Sequence, residues 1–336
     1  MSHRAFITAD DQRRNLLVAR ATTDKPVALI SEHLDSQAAA WLAEHCCVIA
    51  CSRNDAGFSD ALSQASALVV RTYTVVDAAM LARAPRLRVV GRAGVGLDNI
   101  DVAACRARGI EVVYTPDANT QAVVEYVLAL LFDATRPRLT INQAIDSRQW
   151  NDLRECLVGP RQVSEMTIGL LGLGRVGGGV GRALSSLASA VIYNDLLEIE
   201  PGRRWGARPV SLEELFSTAD VLSLHVDGRA ANRGFVGESL IRRMKPDATL
   251  INTSRGFVVD ASAVAAFLRD CPRAKAMLDV HDPEPFDQNY PLLGLANAHL
   301  YPHLASRTCS AMRNMSWVVR DVLGVLEGRR PRWPAP

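Results

Sequence analysis

Three residues late in the chain have the types that proton and anion chemistry needs: Arg255 in INTSRG, Glu284 in DVHDPEP and His303 in YPHLAS. A guanidinium presents a planar fork of donors that suits a carboxylate and a neighbouring polarised carbonyl. An imidazolium can hand a proton to an oxygen that is gaining charge. A carboxylate such as Glu284, paired with that ring, favours its charged form. The set therefore suits a 2-oxo acid receiving a hydride, and it requires a hydride carrier from elsewhere in the sequence.

The carrier is announced by GLLGLGRVGGGVGRAL, residues 169 to 184. Gly172, Gly174 and Gly177 form a G-x-G-x-x-G run that follows the apolar stretch TIGLL and opens a helical pattern. In that setting the first glycine permits a tight turn, the second lets backbone approach a pyrophosphate, and the third lets helix and strand pack closely. Amides at the helix start face the anion. Asp195 ends the next apolar run, AVIYND, at about the 20-residue distance where an acid binds the ribose hydroxyls. A carboxylate there repels a 2′-phosphate, which favours NAD; Arg203 and Arg204 follow closely enough in sequence to leave NADP open. Gly178, Gly179 and Gly181 continue into the helix, where each costs about 0.8–1 kcal/mol against alanine. Gly181→Ala is expected to stabilise the protein with cofactor affinity unchanged, and Gly174→Ala to weaken cofactor binding.

Those residues need elements to hold them. From Pro26, short β-branched runs alternate with longer helical ones (VALIS, LDSQAAAWLAEHC, VIACS and so on to EVVYT), which argues for parallel strands joined by right-handed crossovers. A helix over residues 120 to 136 ends at Pro137 and is apolar on most of its circumference, as if buried between domains or subunits. A second alternation runs from MTIGLLG to YPHL, placing Arg255 and Asp279 just after strands, where parallel sheets bind ligands. A last helical stretch, ASRTCSAMRNMSWVVRDVLGVLEG, is most economically returned to the first block. A length of 336 residues fits two domains better than one.

Composition excludes several function classes. With 38 cationic and 36 acidic residues the net charge is +2, so there is no electrostatic footprint for nucleic acid. No apolar run approaches the ~20 residues of a membrane span, and the first residues lack the apolar core of a secretory signal; a cytoplasmic protein is expected. Seven cysteines show no metal-ligand spacing and read as idle thiols, so no metal is expected.

The motifs GRAGVGLDNIDV (91 to 102), NTQAVVEYVLALL (119 to 131), GLLGLGRVG, MKPDATLINTSRGFVVD (244 to 260), LDVHDPEP (278 to 285) and YPHLAS give the chain its family likeness. From about Pro26 to Arg330 it resembles the D-isomer-specific 2-hydroxyacid dehydrogenases. The resemblance implies an α/β fold of two Rossmann-like or flavodoxin-like domains with parallel sheets and an active-site cleft between them. It assigns residues 25–117 plus 303–336 to a substrate domain and 118–302 to an NAD-binding Rossmann domain, with 1–24 left as an N-terminal arm. It makes Arg255, Glu284 and His303 the catalytic residues. It has Arg175 and Val176 meet the pyrophosphate, Asp195 the ribose and Asp279 the nicotinamide carboxamide, with Val95, Val226 and Thr253 lining the cofactor. It has backbone amides at Gly94 and Val95 hold the substrate carboxylate.

Arg71 in LVVRTYT and Arg92 in GRAGVG resemble the phosphate-binding arginines of phosphoglycerate dehydrogenases, with Arg136 or Arg138 as a possible third cation. The expected reaction is hydride transfer between nicotinamide and C2 of a 2-hydroxy or 2-oxo acid, such as 3-phosphoglycerate. A hydroxypyruvate or glyoxylate reductase is the alternative within the family, and an NAD(H)-sensing corepressor-like binding protein the alternative of another class. A homodimer is implied, built largely on the NAD domain and involving the apolar helix after Asn119. Two departures from the family stand out: Asp227-Gly228 replace a proline-containing loop after LSLHV, and His281 replaces the usual aromatic residue after LDV. Feedback control by a C-terminal effector module after Pro336 is not expected.

Overall fold

The computed structural model describes residues 25–136 and 138–336; the expected N-terminal arm lies outside them. The chain divides into two compact units, one of residues 25–119 with Cys309–Pro336 and the other Thr120–Thr308.

The first unit alternates β1 (Val27–Ile30), α1 (Ser36–His45), β2 (Cys47–Ala50), α2 (Phe58–Gln64), β3 (Ala67–Val70), α3 (Ala78–Ala82), β4 (Val89–Arg92), α4 (Val102–Ala107) and β5 (Glu111–Tyr114). The strands form one parallel sheet in the order β2-β1-β3-β4-β5. Chain order reverses between β1 and β3, the flavodoxin-like switch. Alternate side chains supply the two faces: Leu29, Leu68, Val90 and Val112 pack on one side. Ala28, Val69, Val89 and Val113 pack on the other, against Val318, Val319 and Val322. Asp35, Asp77 and Asp101 start three of the helices by accepting the amides of Gln37, Met80 and Ala104.

The second unit opens with α5 (Thr120–Thr135) and α6 (Ser147–Cys156) and continues β6 (Thr167–Leu171), α7 (Arg175–Leu184), β7 (Ala190–Asn194), β8 (Arg208–Pro209), α8 (Leu212–Thr218), β9 (Val221–Leu224), α9 (Glu238–Ile241), β10 (Thr249–Asn252), α10 (Ala261–Asp270), β11 (Lys275–Leu278) and β12 (Ala298–Leu300). Its parallel sheet has the order β12-β11-β10-β9-β6-β7-β8, a doubly wound sheet whose switch lies between β6 and β9. The switch is where β6 delivers the glycine turn.

The chain then returns to the first unit as α11 (Cys309–Ser316) and α12 (Val319–Leu326). The approach of α12 to β4 is close: a Cβ on Gly91 would lie 2.4 Å from Val322 Cγ2. Beyond it the tail joins the sheet edge, with an antiparallel bridge between Val113 and Pro334 and the Ala335 amide donating to the Val112 carbonyl at 2.7 Å.

One side of the helix expected to lie between domains or subunits packs into the core of its own unit. Val123, Val124, Val127, Leu130, Leu131 and Ala134 of α5 belong to a core shared with Ile168, Leu170 and Val180. Among the described residues no helix is long and apolar enough to cross a membrane, and no cluster of residues could hold a metal ion.

Candidate active site

Gly172 turns the chain after β6 with φ +91°, a conformation that L side chains rarely adopt, and a Cβ there would lie 2.8 Å from the His225 carbonyl oxygen. A Cβ on Gly177 would lie 2.1 Å from the Gly172 carbonyl oxygen, so helix and strand end touch. Gly174 is different: no atom lies within 4 Å of its missing Cβ, and the space before it is open. The Gly178 amide makes the first helical bond, to the Gly174 carbonyl at 2.8 Å, which leaves the amides of Arg175, Val176 and Gly177 at the helix start for an anion.

Asp195 follows β7 directly. One of its carboxylate oxygens accepts the Leu173 amide at 2.7 Å and the other the Leu197 amide at 2.9 Å, and each oxygen keeps a lone pair for a ribose hydroxyl. Val226 lies at the glycine turn, its amide nitrogen 3.4 Å from the missing Cβ of Gly172. Two buried polar atoms nearby in sequence to these strand ends, Thr253 Oγ1 and His225 Nε2, have no hydrogen-bond partner among the described residues. Such atoms are satisfied when a polar ligand arrives. Burial pushes the His225 imidazole down to about 4, so the ring is neutral at pH 7. The open cradle, the free amides and the orphaned polar atoms fit a dinucleotide.

The second cluster is built on the ends of β10 and β11. Asn252, almost fully buried, accepts the Ser254 amide at 2.9 Å and hydroxyl at 2.7 Å through Oδ1, and its Nδ2 donates to the Arg255 carbonyl at 3.0 Å. This ties the turn that carries Arg255. Asp279 has no exposed surface. Its two oxygens accept the amides of Leu304 at 2.7 Å and Ala305 at 2.8 Å, and its carbonyl accepts the His303 amide at 2.9 Å. Expected to meet a carboxamide, Asp279 in this structure faces inward and fixes the turn around His303. Burial pushes its carboxyl above the ordinary range.

His303 sits at φ +55°, an uncommon conformation for a residue with a Cβ, and it persists because Asp279 over-determines the turn. Its Nδ1 lies 2.8 Å from Glu284 Oε2, and Glu284 Oε1 accepts the His281 amide at 2.7 Å. Burial raises the Glu284 carboxyl, but the His303 contact and the His281 amide outweigh it and bring the group below its ordinary value. With Nδ1 committed to a carboxylate, Nε2 is the ring nitrogen available to exchange a proton. Sequence reasoning named this pair; it missed Asn252 and the anchoring role of Asp279, for which INTS and LDV gave only strand-end positions as a signal.

In the first unit Arg71 and Arg92 follow and end neighbouring strands, β3 and β4, whose register pairs Val70 with Arg92. Arg92 Nη1 donates to the Ala93 carbonyl at 2.9 Å and lies over Gly94, where a Cβ would come within 2.3 Å of it. The Gly94 amide donates to the Arg92 carbonyl at 2.8 Å, so of the expected pair of amides only that of Val95 is outside this turn. Arg71 is held by side chain and backbone: its Nη1 donates to the His33 carbonyl at 3.5 Å and its Nη2 lies 3.0 Å from Met312 Sδ. Glu32, just after β1, accepts four successive amides, of Arg71, Thr72, Tyr73 and Thr74, at 2.9–3.1 Å. Burial raises the Glu32 carboxyl, and these amides outweigh it and lower it. Arg136 and Arg138 belong to the second unit. The Ala134 carbonyl accepts Lys275 Nζ, and Lys275 begins β11, so both arginines lie toward the edge opposite the turns of Glu284 and His303.

The loop without its family proline is closed by its own acid: Asp227 Oδ1 accepts Arg229 Nε at 2.7 Å and Asn232 Nδ2 at 3.0 Å. The Arg229 bond holds the Asp227 carboxyl below its ordinary value.

A doubly wound sheet with a dinucleotide cradle and a histidine–carboxylate pair at later strand ends places the protein in the class of NAD-dependent oxidoreductases. Comparison with known proteins makes this specific. The family description "D-isomer specific 2-hydroxyacid dehydrogenase, NAD binding domain" matches residues 128–305, and the chain belongs to that family. It is similar to (S)-sulfolactate dehydrogenase of Chromohalobacter salexigens, at 37% identity over 88% of this chain and 98% of that protein. It is similar to a glyoxylate reductase of Thermofilum pendens, at 35% identity over 76% of this chain and 77% of that one. A D-3-phosphoglycerate dehydrogenase of Archaeoglobus fulgidus is 33% identical over 78% of this chain, which spans half of that protein's length. The protein is thus an NAD-binding oxidoreductase acting on the CH–OH group of 2-hydroxy acids.

Proposed function

We propose that the protein interconverts a three-carbon 2-hydroxy acid and its 2-oxo acid whose C3 carries a second anion, a sulfonate or phosphate, with the sulfonate preferred. The observation that carries this reading is that two cations, Arg71 just after β3 and Arg92 ending β4, stand at the same end of the first unit's sheet. A guanidinium at that end suits a sulfonate or phosphate oxyanion. The sulfonate is preferred because the sulfolactate dehydrogenase relative is matched over nearly its whole length.

In this reading the amides of Arg175, Val176 and Gly177 hold the pyrophosphate before Gly174, Asp195 the ribose, and Val95, Val226 and Thr253 line the cofactor. Bound NADH supplies the hydride. Arg255 holds the substrate carboxylate and polarises the C2 carbonyl, aided by the Val95 amide. His303 Nε2 gives its proton to the C2 oxygen on reduction and recovers one on oxidation. Glu284 keeps the ring oriented and stabilises its charged form.

The protein is also proposed to be a cytoplasmic homodimer. No residue of α6 is buried, and Leu139, Ile141, Trp150, Leu157 and Val158 around it are exposed. An apolar arm of this kind calls for a partner surface, and a second copy supplies one.

Initial rates with NADH against 3-sulfopyruvate, 3-phosphohydroxypyruvate, hydroxypyruvate, glyoxylate and pyruvate test the substrate reading. The sulfonate is expected to give the highest kcat/KM, with Arg71→Ala and Arg92→Ala each lowering it about tenfold or more while glyoxylate turnover stays level. Equal losses on glyoxylate, or a preference for glyoxylate over both charged acids, overturns it.

A further inference from the structure

His281 is the one feature of the catalytic motifs left without a task, and its surroundings give it one. It is 6% exposed, and it touches all three turns that carry Arg255, Glu284 and His303. Its backbone lies under the Arg255 turn so closely that a Cβ on Gly256 would come within 2.0 Å of the His281 carbonyl carbon and oxygen. Its amide donates to Glu284 Oε1 at 2.7 Å. Its ring Nε2 lies 2.9 Å from the carbonyl oxygen of Tyr301, two residues before His303. Nδ1 lies 3.2 Å from the hydroxyl of Tyr290, which is itself buried.

The partners fix the ring's hydrogens. A carbonyl only accepts, so Nε2 carries a hydrogen; Nδ1 is then the acceptor for the Tyr290 hydroxyl. Phe286 and Tyr290 are stacked on each other at 4.7 Å and meet the imidazole edge-on at 4.8 and 5.4 Å, which holds the ring in this pose. A plain aromatic ring in its place would fill the same space but leave the Tyr301 carbonyl and the Tyr290 hydroxyl without these bonds.

We propose that His281 is a positioning residue: through its Tyr290–His281–Tyr301 hydrogen-bond chain it sets the distance between Glu284 and His303, and through its backbone it seats the Arg255 turn. The proposal rests on the roles given above to Glu284 and His303 and is independent of the substrate's second anion. The imidazole itself touches neither substrate nor cofactor in this assignment.

The test uses His281→Phe, Tyr290→Phe and the double variant of the full chain, assayed with NADH and glyoxylate, a probe that needs no second anion, and with 3-sulfopyruvate. His281→Phe is expected to lower kcat about tenfold, to shift the pH dependence of kcat and to leave NADH affinity within about twofold. Tyr290→Phe is expected to give a smaller loss in the same direction, and the double variant no more than His281→Phe alone, because both act through one chain of bonds. A second readout needs no turnover: long-range 1H–15N correlation spectra of the wild-type protein should show one histidine locked with its hydrogen on Nε2, its resonances displaced by Tyr290→Phe. An unchanged kcat and pH profile in a folded His281→Phe variant, or an Nδ1–H tautomer for this ring, overturns the proposal. Should His281→Phe not fold, Tyr290→Phe and the spectra decide. Failure of 3-sulfopyruvate alone, with the glyoxylate and spectroscopic results as expected, counts against the substrate reading and not against His281.

Discussion

At the scale of single residues, the glycines around the phosphate turn look alike in sequence and differ in what surrounds them. Gly174 faces open space, whereas the missing Cβ of Gly177 would overlap a backbone oxygen at 2.1 Å. Gly174→Ala is therefore expected to leave the melting temperature near that of wild type while NADH binding weakens about tenfold or more. Gly177→Ala should lower the melting temperature itself; thermal scans with and without NADH separate the two, and equal destabilisation by both variants would contradict the cradle. The further glycines acquire a reason that sequence did not show. A Cβ on Gly179 would lie 2.6 Å from Val124 Cγ2, so that residue allows α7 to press against α5. Gly181 has Leu170 Cδ1 at 3.2 Å and is tight, so the gain expected of Gly181→Ala is not available without movement of a core leucine. The position with ordinary contact is Gly178, whose nearest atom is 3.6 Å away. Gly178→Ala should stabilise by about 0.5–1 kcal/mol, measured by urea unfolding, and a loss of stability there would refute this account of the helix start.

At the scale of elements, the turns that carry candidate site residues are held by side chains at or just after strand ends. Glu32 at the end of β1 holds the Arg71 turn after β3. Asn252 at the end of β10 holds the Arg255 turn, and Asp279 after β11 holds the His303 turn. The sign of the pH dependence follows for Glu32. Its folded value is lowered, so its contribution is present above the ordinary carboxylate range and is lost as pH falls through the folded value. Glu32→Gln should cost about 2 kcal/mol at pH 7, and the gap from wild type should narrow below about pH 4. Urea midpoints at both pH values check this; a gap that does not depend on pH would show that the carboxylate charge is not what holds the four amides. Such anchors were poorly legible in the sequence, since an acid after a strand reads the same whether it faces a ligand or a neighbouring turn.

At the scale of the whole molecule, the proposed dimer rests on the exposed apolar residues around α6, within the NAD domain on which the sequence reading places it. Trp150 on α6 is 50% exposed. Trp150→Asp is expected to shift the protein from dimer to monomer in light scattering with little change in secondary structure. A wild-type monomer at micromolar concentration, or an undisturbed Trp150→Asp dimer, would remove α6 from the interface.

The sequence by itself determined the two α/β alternations, the glycine turn with Asp195 after the next strand, and the arginine, glutamate and histidine placed after later strands. Those are local patterns: strand periodicity, glycine spacing and residue type carry them without reference to distant contacts. Only the tertiary structure decided that Asp279 turns inward, that Glu32 sits in a ring of four amides, that Gly179 faces another helix and that His281 joins three loops. Each of these depends on which groups meet across strands far apart in sequence, and a buried acid or imidazole takes its role from the donors and acceptors that fold around it.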